Sequence, residues 1–340
     1  MTKNKTILVT GGCGYIGSHC VVELLDHGYK VIIADDLRNS KIETLSHIKE
    51  ITKSDTLQFY DFNLCNYQDV YKIFDKNNID GVMHFAADKS VEMSIKNPLN
   101  FYQNNLTSTL NLLKAMKAFN VNNIIFSSSA TVYDSKLSAP YFENKSLLNP
   151  NNPYGRSKLY IEEILNDICV SDGGINCAIL RYFNPIGAHP SGKIGENSIN
   201  DGGNLGPALV ESLKSKNKVF KIFGHDYDTK DGTCIRDFIH ICDLSKGHIN
   251  ALNFILNSNG THIWNLGSGN GYSVLEAVRS FEKAIQIDLN IKFCSRRDGD
   301  IPISFASTLK AENDLNWTAK VGLDEMMSDL FEWSKNNLWT

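Results

Sequence analysis

The sequence has no apolar stretch that approaches the ~20 residues needed to span a bilayer, so no membrane anchor is predicted. The apolar run at 7–9 is too short for the core of a secretory signal, and no cleavage site follows it. Positive charge is not in excess, because 34 lysines and arginines stand against 38 aspartates and glutamates, for a net charge of −4. We therefore expect neither a nucleic-acid partner nor a membrane partner.

Paired cysteines are missing too. The eight cysteines are scattered, none forms a CxxC pair, and a chain of 340 residues needs no disulfide staples. They are interpreted as reduced thiols of a cytoplasmic protein. The acidic run that begins at Asp226 lacks the glycine that a calcium loop requires. His240, Cys242 and His248 lack a fourth zinc ligand and the usual spacing, so no metal is predicted.

Short apolar runs alternate with amphipathic segments over the first half of the chain. The length and β-branched content of the runs predict strands at 6–10, 30–34, 56–60, 81–85, 123–127 and 176–181. Helical periodicity predicts helices at 16–26, 67–74, 105–119 and 160–169. This alternation predicts an α/β fold with a Rossmann-type, doubly wound parallel sheet.

The character of the sequence changes after Pro185. Residues 187–206 are rich in glycine, proline, asparagine and serine and have little periodicity, so they are interpreted as loops. Shorter elements follow in less regular order. We predict a Rossmann domain at 1–184 and a smaller mixed α/β C-terminal lobe at 185–340, with crossings of the chain back to the first domain.

A glycine-rich segment follows the first predicted strand and opens the first helix. Gly11, Gly14 and Gly17 form G-x-x-G-x-x-G, a variant of the dinucleotide fingerprint, in which glycine allows a tight turn and a close approach to a pyrophosphate. Asp35 ends the second strand about 20 residues later, where a carboxylate can bind the adenosine ribose. A negative charge there repels a 2′-phosphate, so the predicted cofactor is NAD and not NADP.

A candidate acid–base pair lies downstream. Tyr154 and Lys158 are four residues apart and share one face of a predicted helix. An ammonium group near a phenol favours the phenolate and brings its pKa toward a useful range. Ser129 follows the strand at 123–127, at the carboxyl edge of the sheet where ligands bind in this type of fold.

Longer motifs extend these signals over essentially the whole chain, at 84–89, 104–105, 127–133, 154–158, 181–190, 232–243 and 296–300. In them the sequence resembles the extended short-chain dehydrogenase/reductase family and, within it, the UDP-glucose 4-epimerases, to which the blocks at 181–190 and 231–237 are specific. The resemblance implies an NAD-dependent isomerase of galactose metabolism that interconverts UDP-glucose and UDP-galactose. It also implies a homodimer that pairs the helices near 105–119 and 154–169.

The resemblance assigns roles to individual residues. Tyr154 would exchange the proton of the sugar 4-hydroxyl, with Ser129 beside it and Lys158 on the nicotinamide ribose. Hydride would pass from C4 to NAD and return to the opposite face of a 4-keto sugar that has rotated in the site. The implied NAD contacts are Gly11, Gly14, Tyr15, Ile16, Gly17, Asp35, Asn39, Ser40, Asn63, Leu64, Phe85, Ala86, Ala87, Lys89, Asn104, Ser129, Tyr154, Lys158 and Phe183. The implied UDP-sugar contacts are Lys89, Ser129, Tyr154, Phe183, Asn184, Asn204, Leu205, Lys221, Ile222, Phe223, Arg236, Arg297, Asp300 and Ser304.

Four positions depart from the family pattern. Asn63 replaces an aspartate near the adenine, and we expect altered affinity without loss of binding. Asp134 replaces a glycine and Ser307 an aspartate, and nothing in the sequence explains these two. Ser304 stands where family members restricted to UDP-glucose carry a tyrosine, so we expect that UDP-GlcNAc and UDP-GalNAc are also substrates.

Three other functions share this fold. A nucleotide-sugar 4,6-dehydratase needs an Asp-Glu pair where this chain has Ala130 and Thr131. A catalytically silent NAD sensor would lose the tyrosine or lysine that this chain keeps. Epimerases of UDP-sugar acids remain open, and a substrate panel separates them.

Overall fold

A computed structural model describes residues 5–172, 174–197, 203–297 and 299–337. The strands are β1 Thr6–Thr10, β2 Lys30–Ala34, β3 Leu57–Tyr60, β4 Gly81–His84, β5 Asn123–Ser129, β6 Asn176–Tyr182, β7 Asn184–Ile186, β8 Val219–Phe223, β9 Ile235–Arg236, β10 Phe238–His240, β11 Gly260–Leu266, β12 Tyr272–Ser273, β13 Asn290–Cys294 and β14 Ile303–Ser304. The helices are α1 Tyr15–Asp26, α2 Glu43–Thr52, α3 Tyr67–Lys76, α4 Val91–Lys96, α5 Pro98–Ala118, α6 Pro153–Asp172, α7 Leu205–Ser212, α8 Ile241–Ile255, α9 Val274–Ile285, α10 Leu309–Leu315 and α11 Leu323–Asn337.

Within the described residues, seven parallel strands form the main sheet in the order β11-β6-β5-β4-β1-β2-β3. Successive residues of a strand face opposite sides of the sheet. In β1, Ile7 and Val9 pack toward α1, α2 and α8, whereas Leu8 packs toward α3, α5 and α6. Burial on both faces explains why the strands are continuous apolar runs. The predicted doubly wound α/β fold is confirmed, and β1 and β2 have the predicted bounds.

The C-terminal part of the chain is built differently. Its strands form small groups, β10-β7, β12-β9-β14 and β13-β8, which contain both parallel and antiparallel pairs. A separate apolar core joins β8 and β10 to α7, α9 and α11. This is the smaller mixed α/β lobe expected from the sequence.

The chain crosses between the two parts after residue 184. Strand β11 pairs with β6 from Gly260↔Asn176 to Leu266↔Tyr182 and so completes the main sheet. Helix α8 packs against α1 on one face of that sheet. The boundary at residue 185 stays a prediction. Among the described residues, no helix is both long and apolar enough to cross a membrane.

Candidate active site

The glycine-rich turn brings backbone close to backbone at the carboxyl end of β1. Gly11 has φ +69°, and a Cβ there would lie 2.8 Å from the Ala86 nitrogen. A Cβ at Gly17 would lie 2.2 Å from the Gly11 carbonyl oxygen. Helix α1 begins after Gly14 with no side-chain cap, so its first N–H groups face the cavity without a competing side chain. This cradle fits the pyrophosphate of a dinucleotide.

Asp35 follows β2 at the same edge and is buried. Its carboxylate accepts hydrogen bonds from the backbone nitrogens of Cys13 and Leu37, both at 3.0 Å, and from the Ser40 hydroxyl at 2.9 Å. Burial raises the pKa of Asp35, while these hydrogen bonds lower it in part. The carboxylate is thus held in place beside the glycine turn, where it fits an adenosine ribose.

The acid–base residues meet at the ends of β5 and α6. Ser129 is the last residue of β5, and Tyr154 and Lys158 lie in the first turns of α6. The Lys158 ammonium donates to the Ser127 carbonyl oxygen at 2.7 Å and lies 5.9 Å from the centre of the Tyr154 ring. Only 3% of Lys158 is exposed, and this burial lowers its pKa to about 7. Burial raises the pKa of Tyr154, whereas hydrogen bonding with Ser129 and the Lys89 ammonium lower it.

A buried ion pair joins the main sheet to the helix that carries Tyr154. The Arg181 guanidinium, 1% exposed, donates from Nη2 to Glu162 Oε2 at 2.6 Å and from Nε to Oε1 at 3.1 Å. The same Glu162 oxygen Oε1 accepts from the Ser128 hydroxyl. The ion pair therefore ties β6 to α6, the helix that carries Tyr154, and the Ser128 hydrogen bond ties β5, the strand that carries Ser129, to the same carboxylate.

Two arginines lie across the cavity in the lobe, Arg236 on β9 and Arg297 in the loop after β13. Arg236 Nη1 donates to the carbonyl oxygens of Ile235 at 2.9 Å and Ile301 at 2.8 Å, and its Nη2 lies 3.5 Å from Asp300 Oδ1. The Arg297 guanidinium lies 4.0 Å from the centre of the Phe223 ring and donates to a backbone carbonyl. Guanidinium groups oriented in this way suit phosphate recognition.

The reasoning from sequence missed two groups of cavity residues. Arg38 donates from Nη2 to Asn104 Oδ1 at 2.9 Å and from Nε to Asp36 at 3.2 Å, and its Nη1 lies 3.9 Å from Asp88 Oδ1. It thus bridges the segment after β2 to α5. The second group is centred on Glu196. Neither has a motif of fixed spacing, so no sequence signal pointed to them.

The departures from the family pattern occupy distinct places. Asn63 Oδ1 accepts from the Cys65 nitrogen at 2.8 Å within the loop after β3. Asp134 accepts from the Lys136 nitrogen at 2.8 Å and so stabilises a turn, which a glycine would not do. Ser307 is buried and its backbone donates to Tyr141; nothing in the structure explains the substitution. Ser304 pairs with Arg236 in the β14–β9 ladder and lines the cavity.

One cavity of about 2790 Å³ connects these features. Every residue assigned from the resemblance lines it. On the Rossmann side these are Gly11, Gly14, Tyr15, Ile16, Gly17, Asp35, Asn39, Ser40, Asn63, Leu64, Phe85, Ala86, Ala87, Lys89, Asn104, Ser129, Tyr154, Lys158 and Phe183. On the lobe side they are Asn184, Asn204, Leu205, Lys221, Ile222, Phe223, Arg236, Arg297, Asp300 and Ser304.

The fold and this cavity define a class of proteins, the extended short-chain dehydrogenases/reductases, in which a Rossmann sheet carries a Tyr-x-x-x-Lys helix and a C-terminal lobe covers the site. A family model described as GDP-mannose 4,6 dehydratase matches residues 8–330. The UDP-glucose 4-epimerase of Bacillus subtilis is 47% identical over 332 residues, which are 98% of this chain and 97% of that protein. The UDP-glucose 4-epimerase of Dictyostelium discoideum is 45% identical over 97% of this chain and 96% of that protein.

Solved structures agree. The UDP-glucose 4-epimerase from Bifidobacterium longum, crystallised with NAD⁺ and UDP, matches with a TM-score of 0.93 at 42% identity, over 98% of this chain and 99% of that one. The chain therefore belongs to the family that the model describes and, within it, to the UDP-glucose 4-epimerases. The family predicted from the sequence is confirmed.

Proposed function

We propose that this chain catalyses the reversible epimerisation of UDP-glucose and UDP-galactose at C4, with NAD as a bound cofactor, in galactose metabolism. One observation carries the proposal: the Ser129–Tyr154–Lys158 group lies in the same cavity as the glycine turn on one side and Arg236 on the other. NAD, when bound, supplies the acceptor and donor of the C4 hydride. The protein must then move one proton and hold the sugar.

Tyr154 is the acid–base residue in this proposal. A phenolate accepts the proton of the 4-hydroxyl during oxidation and the phenol returns it during reduction. The Lys89 ammonium and the Ser129 hydroxyl, which hydrogen-bonds the phenol, lower the pKa of Tyr154 and so favour the phenolate. Lys158 lies 5.9 Å from the centre of the ring, and its charge acts in the same direction when it is protonated. In this proposal Ser129 also hydrogen-bonds the reacting hydroxyl. Lys158 donates to the Ser127 carbonyl oxygen and lines the cavity. We propose that it also binds the nicotinamide ribose.

Epimerisation requires that the 4-keto sugar present both faces to the same hydride position. We propose that the UDP half stays fixed while the hexose turns about the pyrophosphate linkage. Arg236, Arg297 and the segment of β8 at Lys221, Ile222 and Phe223 hold the UDP half, together with Asn184, Asn204, Leu205 and Asp300. The arginines suit the phosphates because carbonyl oxygens orient them in advance.

The structure favours this chemistry over a 4,6-dehydratase. Elimination of water across C5 and C6 needs an acid and a base beside the tyrosine. Here Ala130 and Thr131 occupy the turn after Ser129, and the Thr131 hydroxyl donates to Ser129 Oγ at 2.9 Å. The retained Ser129, Tyr154 and Lys158 also argue against a silent NAD sensor.

We further propose that N-acetylated UDP-hexoses are accepted, because Ser304 is small and lines the cavity next to Arg236. In the test, Ser304→Tyr abolishes conversion of UDP-GlcNAc and leaves conversion of UDP-galactose within a few-fold. Activity of the parent on UDP-galactose alone would contradict this proposal. A panel that includes UDP-sugar acids settles the remaining alternative.

A homodimer through α5 and α6 is proposed from their exposed apolar residues. Leu99 is 76% exposed on α5, and Leu110, Tyr160 and Val170 are exposed on the same two helices, which pack together. Sedimentation of the parent as a dimer, and of Leu110→Glu as a monomer, is the expected result; a monomeric parent would contradict it. We also propose a cytoplasmic location and a division into an NAD-binding domain at 1–184 and a UDP-sugar-binding lobe at 185–340.

The primary experiment offers UDP-galactose to the purified protein without added NAD and follows UDP-glucose by chromatography. The parent is expected to convert it, and Tyr154→Phe to be nearly silent while still folded. No conversion by the parent, even after NAD is supplied, would refute the proposal.

A further inference from the structure

Glu196 is a buried carboxylate between the two halves of the cavity. It is 5% exposed and lies in the loop that precedes α7. Its Oε1 accepts from the Lys89 ammonium at 2.7 Å and from the Asn204 amide nitrogen at 2.8 Å. Lys89 follows β4 of the Rossmann sheet, whereas Asn204 is the residue before α7 of the lobe. A single oxygen thus joins the two sides of the site.

We propose that Glu196 is a positioning residue for the C4 epimerisation: it orients Asn204 toward the UDP half of the substrate and holds Lys89 near Tyr154. This inference rests on the proposed function. It assigns to one carboxylate two separable effects, one through hydrogen-bond geometry and one through charge.

The geometric effect concerns Asn204. Asparagine at the start of a helix usually caps it by accepting a backbone N–H. Here Asn204 makes no side-chain cap, and its amide nitrogen donates to Glu196 instead. The amide oxygen is therefore turned away from Glu196, and the orientation of the whole side chain depends on this acceptor. Without it, Asn204 is free to turn to the α7 backbone.

The electrostatic effect concerns Tyr154. The charged or polar groups that face the phenol are Lys158 from α6, Ser129 from β5, Tyr182 from β6 and Lys89 from the loop after β4. The Lys89 ammonium lowers the pKa of Tyr154. The negative charge of Glu196, 2.7 Å from that ammonium, opposes its field.

Removing the charge of Glu196 therefore favours the phenolate at Tyr154. Because oxidation at C4 requires the phenolate, the rising limb of the pH–rate profile is expected at lower pH. Tyr15 is another ionisable neighbour of Glu196, and its hydroxyl donates to the Gly187 carbonyl oxygen.

The alternative is a partly buried ion pair that serves stability alone. Such a pair would affect unfolding when broken but would not separate geometry from charge at the active site. Two variants make the distinction. Glu196→Gln keeps an acceptor oxygen at nearly the same place and removes the charge, whereas Glu196→Ala removes both.

The experiment measures UDP binding by calorimetry on the NAD-loaded protein, and the pH dependence of kcat for UDP-galactose. For Glu196→Ala we expect UDP to bind about 10-fold more weakly, since Asn204 loses its fixed orientation. For Glu196→Gln we expect UDP affinity within about 2-fold of the parent. In the same variant the rising limb of the plot of kcat against pH should move to lower pH. When Lys89→Met is already present, Glu196→Gln should move the rising limb of the pH–rate profile much less.

Equal UDP affinities for the alanine variant and the parent would overturn the geometric effect. A pH–rate limb that stays in place in the glutamine variant would overturn the electrostatic effect. Thermal unfolding of each variant checks that it is folded. If the parent itself does not epimerise UDP-galactose, the proposed function fails, but the UDP-binding measurement still tests the orientation of Asn204.

Discussion

Lys158 is expected to destabilise the fold in the pH range in which the enzyme needs it. Its pKa falls from 10.5 to about 7 on folding because the ammonium is buried. Between these values the unfolded chain holds a proton that the folded protein does not. The contribution of Lys158 to the free energy of unfolding therefore rises with pH from 7 to 10.5, and below pH 7 its cost is fully present. Lys158→Met removes this cost together with the activity.

The size of the effect follows from the shift. At pH 6.5 the buried lysine costs about 4–5 kcal/mol relative to a lysine with an unshifted pKa, and at pH 9 about 2 kcal/mol. The stability difference between Lys158→Met and the parent should thus shrink by about 2–3 kcal/mol from pH 6.5 to pH 9. Lys158→Met also loses the hydrogen bond to the Ser127 carbonyl oxygen. This loss changes the stability difference by about the same amount at both pH values, so it cancels in the comparison.

The assay is urea unfolding of both proteins at the two pH values, with the same NAD concentration throughout. Lys72→Met is the matched control, since Lys72 is 55% exposed in a surface ion pair on α3. Its difference from the parent should not change with pH. A Lys158→Met difference that is constant within about 0.5 kcal/mol would refute the claim that burial depresses the pKa of Lys158.

Two further predictions concern the cofactor. Gly17→Ala puts a Cβ 2.2 Å from the Gly11 carbonyl oxygen and is expected to abolish retention of NAD. The bound NAD is measured by chromatography of the nucleotide released from the purified protein. Gly322→Ala is the control and should retain NAD, because no atom lies within 4 Å of the added Cβ. Arg38→Ala removes the hydrogen bond to Asn104 and should release NAD several-fold faster, as measured by exchange with labelled nucleotide. An unchanged release rate would contradict a role for this hydrogen bond in NAD binding.

The sequence was sufficient where one segment determines its own structure. The runs at 6–10 and 30–34 are buried on both sheet faces, so composition alone locates β1 and β2. The helix predicted at 105–119 instead begins at Pro98, a residue that favours the first turn of a helix. Its first turns include polar residues that the hydrophobic period does not mark.

Residues that act through distant partners were not predictable. Glu196 lies in the stretch 187–206 that the sequence describes only as a loop, and its partner Lys89 is 107 positions away. Arg38 has the same difficulty, because its partner Asn104 is 66 positions away on another element. A motif records residues at fixed spacing, whereas a hydrogen bond between loops depends on how the two parts of the chain pack.

The two sides of the cavity differ in how they hold charge. This difference fits the roles that we propose, proton transfer on the sheet side and UDP binding on the lobe side. On the sheet side, burial moves the pKa of Lys158 down and that of Tyr154 up, so it favours the uncharged form of both groups. On the lobe side, Arg297 rests on the Phe223 ring and a backbone carbonyl oxygen, which orient the guanidinium without neutralising it. Its charge is thus available to a diphosphate. Strong binding of UDP on the lobe side would thus allow the hexose to turn about its linkage, as we propose for the epimerisation.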